Sequence, residues 1–304
     1  MSTNELCVIY NPTAGKNRAV RRLEAARRAW GDRAAFWPTE RPGHAGELAR
    51  RAADAGFAKI AAAGGDGTVH EVAGGILASG RTAVDFAVIP IGSANDFAFS
   101  LFKLPTATEI RVIDVGKTWR EDGKSKHFLC NVGLGFNGAV TVEARKIAWL
   151  QGMALYGLAT LRALRRHYRC PMTTIRIDEE PAWRVPTLMV AVLLGLREGG
   201  FVLAPDAKLD DGLLDYVHVG ALSRWQVLGL LPRLALFGPP TNHPRLRMGR
   251  CRRIEMASDL PVNVHADGEF LCVAEEGFRA ITVEVMPAAL RVDVALSRRG
   301  GMPK

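Results

Sequence analysis

Three acidic residues stand where their neighbours suggest chemistry. Asp66 lies in GGDGT (64–68), Asp96 ends GSAND (92–96), and Glu269 closes HADGE (265–269). The first two follow apolar runs and precede helix-like ones. Glycines at such a turn let backbone N–H groups approach an anion, and the helix that follows adds positive potential at its N-terminus. A carboxylate there would repel a bare phosphate. It makes sense if a metal ion lies between acid and phosphate, or if the acid takes a proton from an attacking hydroxyl. Phosphoryl transfer is the chemistry these residues suit. Each also has a plainer reading: Asp96 as a helix cap, Asp66 as a turn former, and Asp267-Gly268 as a hairpin turn followed by Glu269.

Two familiar motifs fail on inspection. NPTAGKNRA (11–19) invites comparison with a Walker A loop, but the required first glycine would fall at Tyr10. GLGFNG (133–138) matches G-x-G-x-x-G, and a dinucleotide site then needs an acid about 20 residues on to hold the ribose. No Asp or Glu occurs from Ala144 to Ile177, so a dehydrogenase is excluded.

The elements that carry these loops alternate. ELCVIYNP (5–12), AAFWPT (34–39), AKIAAAGG (58–65) and DFAVIPIGSAND (85–96) read as strands. RAVRRLEAARRAW (18–30), GHAGELARRAADAG (43–56) and TVHEVAGGILAS (68–79) have helical spacing. Repeated strand-turn-helix units predict a parallel sheet flanked by helices, with the first three loops at the carboxyl ends of its strands. After residue 117 the pattern turns to strands, among them TTIRIDEE, VPTLMVAVLLG, LLDYVHVG, RIEMAS, LPVNVHADGEF, ITVEVM and RVDVAL, which predict a mainly antiparallel sandwich. Segments 139–168 and 221–238 read as helical. The expected division is residues 1–117 and 118–304, with the last residues able to return to the first domain.

The net charge is +9 and gathers in RRLEAARR (21–28), RALRRHYR (162–169) and RLRMGRCRR (245–253). Each cluster alone is explained by a solvated face, and together they favour an anionic partner such as a nucleotide or an acidic membrane surface. No aromatic-rich strand motif supports nucleic acid. The five cysteines show no metal-ligand spacing, and reduced thiols are expected. The opening MSTNELCVIY lacks a secretion-signal pattern and no apolar run reaches transmembrane length, so a cytoplasmic protein is expected.

NPTAGK, GGDGTVHEV, PIGSANDFA, GLGFNG, APDAKLDDGLLD (204–215) and HADGE occur in the order found in one family. From residue 5 to beyond residue 270 the chain resembles the diacylglycerol kinase-like lipid kinases, which include phosphatidylglycerol, sphingosine and ceramide kinases. The resemblance implies a phosphofructokinase-like α/β nucleotide-binding domain followed by a β-sandwich. It implies ATP contacts at Asn11, Pro12, Thr13, Ala14, Gly15, Thr39, Gly65, Gly67, Thr68 and Ser93. Asp66 would stand near the transferred phosphate and its metal, Asp96 would assist, and Glu269 would be the general base. A structural Mg²⁺ would be held near Lys208, Asp211 and Leu213, partly through backbone carbonyls, as a hard cation prefers. The chain departs from the family at His70, where Asn is usual, and at Gly92-Ser-Ala-Asn-Asp96, where Gly-Thr-Gly-Asn-Asp is usual. Ser93 keeps a hydroxyl, Ala94 adds a methyl, and His70 reads as an ordinary helix residue.

The expected activity is ATP-dependent phosphorylation of a lipid hydroxyl, diacylglycerol or a related lipid, with peripheral contact at a membrane surface. Segment 146–168 mixes apolar and basic positions as either an interfacial or a packing helix would. Two other readings remain open: a soluble-substrate kinase of the NAD kinase type, and a nucleotide-binding regulator without turnover. A homodimer is compatible with the sequence, which fixes no oligomeric state.

Overall fold

A computed structural model describes residues 5–14, 17–92, 94–104, 109–147, 149–150 and 152–300. The chain forms two compact units, Met1–Asp114 with Pro287–Lys304, and Val115–Met286.

The first unit alternates strand and helix. It runs β1 (Leu6–Tyr10), α1 (Asn17–Trp30), β2 (Ala34–Pro38), α2 (His44–Asp54), β3 (Lys59–Gly64), α3 (Asp66–Ser79), β4 (Asp85–Pro90) and α4 (Asp96–Leu101). The strands are parallel, in the order β4–β3–β1–β2. Strands covered on both faces must be apolar along their length. Leu6 to Ile9, Ile60 to Ala63 and Phe86 to Ile89 are accordingly all buried. From β1 the chain steps to β2 on one side and to β3 and β4 on the other. The resulting switch point, between β1 and β3, is where open α/β sheets bind ligands.

β5 (Ile110–Arg120) leads into the second unit, which opens with β6 (Ser125–Phe128), β7 (Asn131–Gly135), α5 (Phe136–Ala144) and α6 (Gly152–Arg166). β8 (Met172–Ile177), β9 (Trp183–Leu193), β10 (Arg197–Glu198), β11 (Phe201–Val202) and β12 (Leu214–Gly220) follow. After α7 (Arg224–Phe237) come β13 (Leu246–Cys251), β14 (Arg253–Ser258), β15 (Val264–Ala266), β16 (Glu269–Cys272), β17 (Ala280–Asp293) and α8 (Val294–Arg298). The ladders from β7 to β16 are antiparallel. β9 belongs to two sheets: its first residues pair with β8, and its later ones with β7 and β12. β8 continues to β14 and β17, while β7 continues to β15 and β16, giving the sandwich. The helical stretch 139–168 is two helices, interrupted before Gly152 at φ +63°.

β17 carries the chain back to the first unit. Val292 pairs with Phe86 of β4, Lys59 Nζ lies 2.6 Å from Asp293 Oδ2, and the Val88 N–H donates to Ser297 Oγ. These contacts make the last residues part of the first core.

Two buried ionisable side chains organise the second unit. Glu143 at the end of α5 is fully buried and receives Lys146, Arg166 and His167, tying α5 to the end of α6. Burial pushes its pKa up, but the Lys146 and His167 hydrogen bonds outweigh that and hold it below the usual range. His218 of β12 is buried between Trp183, edge-on at 4.9 Å, and Thr187 Oγ1 at 3.1 Å from Nε2, and its Nδ1 has no hydrogen-bond partner among the described residues. Burial, aided by Arg247, lowers its pKa to about 4. The unfolded chain therefore takes up this proton from pH 6.5 downward while the folded chain resists until about pH 4. Stability should fall across that window by about 3 kcal/mol from this group and be unaffected above it. Urea unfolding at pH 7.5 and pH 4.5 checks this: the wild type should lose more stability than His218→Leu over the interval. Equal losses would refute it.

Candidate functional site

In the first unit the three loops meet at the switch point. Asn11, directly after β1, donates its N–H to Ala63 O of β3 at 3.0 Å, and the Thr39 N–H donates to Tyr10 O. The Asn11 side chain turns back on its own loop, with Oδ1 accepting from the Thr13 N–H at 2.9 Å and the Thr13 hydroxyl at 2.8 Å. Pro12 and Thr13 are exposed and Ala14 is half-buried. Gly15 and Ser93 lie outside the described residues.

The β3–α3 and β4–α4 turns touch backbone to backbone. A Cβ built on Gly92 would come within 2.4 Å of Gly65 Cα, so no larger residue fits. A Cβ on Gly67 would meet nothing, which leaves the amides at the start of α3 approachable. Thr68 is buried against Gly64. Asp66 is the first residue of α3, and its Oδ1 accepts the Phe97 N–H of α4 at 3.3 Å. One carboxylate thus satisfies an N–H of the neighbouring helix's first turn.

Asp96 is buried, but it does not cap α4. Asn95 holds the N-cap position with φ +51°, and its side chain clasps Gly92 through Oδ1 at 3.0 Å and Nδ2 at 2.8 Å. Asparagine tolerates the left-handed region. Asn95 is the residue seen to occupy it in this turn. His70 is half-buried in α3. Its neighbour Glu71, absent from the sequence expectations, receives the Gly43 and Ala45 N–H groups and so caps α2.

In the second unit the Asp-Gly hairpin is present. Asp267 and Gly268 have φ +49° and +81° and join β15 to β16. Asp267 does more than turn the chain, because its carboxylate accepts the N–H groups of Leu129, Cys130 and Asn131 at 2.7–2.9 Å. Glu269, at the start of β16, lies 2.9 Å from Arg145 Nη2 through Oε1. Arg145 also donates to Gly268 O and rests 4.6 Å over the Phe270 ring. Glu269 Oε2 has no partner among the described residues, and the side chain is 41 % exposed. The carboxylate is oriented and still open to a proton.

The glycines of GLGFNG have packing reasons. A Cβ on Gly133 would strike His265 Nε2 at 2.2 Å and Asn137 Nδ2 at 2.5 Å. Those two side chains converge on Glu198, with His265 Nε2 at 3.1 Å and Asn137 Nδ2 at 3.2 Å from Oε1. Asn137 and Glu198 border a cavity of about 170 Å³ lined by α5, α6, α7, β9 and β12. Beyond them its walls are aliphatic and aromatic, with three hydroxyl residues, Thr141, Tyr156 and Thr160. Both threonine hydroxyls donate to carbonyls of their own helices.

The segment expected to hold a structural cation gathers oxygen. Asp211 Oδ1 accepts the Leu213 N–H, and Arg250 lies 3.7 Å from Asp211 and 3.6 Å from Asp215. Burial pushes the Asp215 carboxyl up, Arg250 opposes this, and Asp211 and Asp206 add to it. Carboxylates crowded around one guanidinium suit a further hard cation. Among the described residues no three His, Cys, Asp or Glu side chains form a metal cluster, so backbone carbonyls such as those of Lys208 and Leu213 would have to complete the shell.

A family model for the diacylglycerol kinase catalytic domain matches residues 5–121, and one for the YegS C-terminal NAD kinase beta sandwich-like domain matches 130–294. The Staphylococcus saprophyticus protein named diacylglycerol kinase is 31 % identical over 276 residues, covering 86 % of this chain and 88 % of its own. The chain belongs to the diacylglycerol kinase family. A Pseudomonas aeruginosa relative named "Probable lipid kinase YegS-like" is 33 % identical over 293 residues, covering 94 % and 93 %. A Bacillus anthracis crystal structure shares the diacylglycerol kinase fold seen here, with TM-score 0.75, 22 % identity and coverage of 96 % and 98 %. Yeast NADH kinase superposes at TM-score 0.51 and 11 % identity over 95 % of this chain and 83 % of its own, a likeness of fold alone.

Proposed function

We propose that this family member transfers the γ-phosphoryl group of ATP to the hydroxyl of a lipid, diacylglycerol or a close relative. One observation carries the choice of acceptor: the cavity lined by α5, α6 and α7 has apolar walls, which suit acyl chains and would leave a nucleotide's polar groups unsatisfied. Family membership supports the phosphotransfer. The loops at Asn11–Gly15, Thr39, Gly65–Thr68 and Ser93 hold the triphosphate, with the N–H groups of the first turn of α3 as donors. Mg²⁺, when bound, offsets the charge of the phosphates. Asp66, aided by Asp96, serves that charged region, and Lys208, Asp211 and Leu213 hold a structural cation. Glu269 takes the hydroxyl proton as the oxygen attacks phosphorus. Positioning and electrostatics dominate such a step, because the protein forms no bond to the phosphoryl group.

The test is transfer of label from ATP in the presence of Mg²⁺ and mixed lipid vesicles. No labelled lipid, or label on NAD instead, defeats the reading. Cavity size gives a second handle. Val140→Trp should fill part of the space and lower kcat/KM for long-chain diacylglycerol by roughly tenfold relative to a short-chain one, as pocket volume governs apolar selectivity. The KM for ATP should not move. An equal effect on both chain lengths would remove the cavity from acceptor binding.

A further inference from the structure

α7 is apolar on two opposite faces. Val227, Leu230, Leu231 and Leu234 point into the cavity and form part of its wall. On the other side Trp225, Gly229, Pro232 and Leu236 follow one another at intervals of four, three and four residues, which at 3.6 residues per turn is a single stripe. Trp225 is 81 % exposed, Leu236 74 % and Phe237, at the helix end, 77 %. The helix is firmly started by a Ser223–Gln226 capping box, yet Val227 is its one buried residue. A helix with apolar side chains on its outer face as well as its inner one has a second partner to meet.

Charge identifies that partner. From Tyr216 to Ile254 there are seven arginines and no Asp or Glu. Arg250 and Arg253 are paired with carboxylates elsewhere in the unit. Arg224, Arg233 and Arg245, on α7 and just beyond it, have no carboxylate partner among the described residues. Arg224 lies over the Tyr168 ring and Arg245 donates to Ala221 O. A stripe with tryptophan at one end, leucine and phenylalanine at the other, and unpaired arginines beside it matches the boundary between anionic headgroups and acyl chains. Among the described residues no helix is long and apolar enough to cross a membrane. Contact by α7 would therefore be interfacial.

We propose that the outer stripe of α7 seats this protein on an anionic phospholipid bilayer. The same helix walls the cavity with its inner face, so docking sets the mouth of the lipid pocket against the membrane that supplies the lipid. This deepens the lipid-acceptor reading and rests on it.

The experiment is flotation of the full chain with vesicles, without ATP, so that binding is read apart from catalysis. Wild-type protein should float with phosphatidylglycerol–phosphatidylcholine vesicles, far less with phosphatidylcholine alone, and less again as salt rises. The triple variant Trp225→Ser, Leu236→Ser, Phe237→Ser should lose roughly tenfold or more of that binding with an unchanged melting curve. Arg224→Gln with Arg233→Gln should remove the preference for phosphatidylglycerol while keeping weak binding. Failure of the wild type to float, or equal flotation of the triple variant, overturns the proposal. So does a wild-type dimer that the triple variant makes monomeric without any vesicle binding, since the stripe would then face a second copy. Wild-type protein that floats yet phosphorylates no lipid would leave the docking surface standing and defeat the kinase reading.

Discussion

Asp66→Asn is expected to cut turnover by roughly 10²–10³-fold or more and to leave the protein folded, the scale seen when one preorganised electrostatic group is removed. The substitution separates the structural role of this side chain from the catalytic role proposed for it. Asp66 Oδ1 accepts the Phe97 N–H, and an amide oxygen can make the same bond. What Asn cannot supply is the negative charge proposed to act beside the phosphates and their metal. Asp66→Ala removes both, so it should also cost about 1 kcal/mol, as loss of an acceptor at a helix start does, and lower Tm by about 2–4 °C. The measurements are kcat with labelled ATP and lipid, and thermal melting of all three proteins. If Asp66→Asn keeps more than a tenth of wild-type turnover, the carboxylate is a structural cap and the charged role is wrong.

The first unit was largely legible because its signals are local. Continuous apolar runs ending in Gly, Asn or Pro mark buried parallel strands, and the helical patterns between them leave few other topologies. The loops that meet at the switch point were found for the same reason. What patterns could not reach is how residues within those loops divide the work. Asn95, not Asp96, holds the left-handed N-cap of α4, and its side chain clasps Gly92 three residues away. Glu71 lies on the helix that begins at Asp66, and nothing in its own neighbourhood indicates that it caps α2.

The second unit hid more. RLRMGRCRR reads as a solvated cluster, yet it spans β13 and the start of β14, with Arg250 set between Asp211 and Asp215. Strands rich in arginine lack the apolar alternation that marks a half-buried strand, so their pairing shows only when distant partners are known. ITVEVM and RVDVAL read as two strands, but 281–286 and 291–293 belong to the single β17, and 294–296 open α8. GLGFNG was excluded as a dinucleotide motif on a missing acid. Its first glycine makes room for His265 and Asn137 to reach Glu198, a contact spanning more than 60 residues that no spacing rule encodes. The cavity and the outer stripe of α7 belong to this class too, since each depends on which face of a helix the sandwich leaves covered.

Glu269→Gln is the other substitution with a large expected effect. As the proposed general base, Glu269 contributes by accepting a proton in the transition state, and losing such a group costs about 10²–10⁴-fold in kcat. Gln has the same shape, and its amide oxygen can still accept from Arg145, so the contact at 2.9 Å and the β16 strand should persist. The KM for ATP should change little, because the base is given no part in nucleotide binding. Arg145 supplies the control. It holds Oε1 and Gly268 O while resting on Phe270, so Arg145→Met should leave a carboxylate that is present but less well oriented. Turnover should then fall by roughly tenfold, since a misplaced group retains part of its effect. In the Glu269→Gln background the Arg145→Met change should cost almost nothing further, because an arginine that orients a base has no work left when the base is gone. Full additivity of the two losses would mean that Arg145 acts by another route. Near wild-type kcat in Glu269→Gln would mean that the acceptor hydroxyl gives its proton to another group, with Asp66 the first alternative to test.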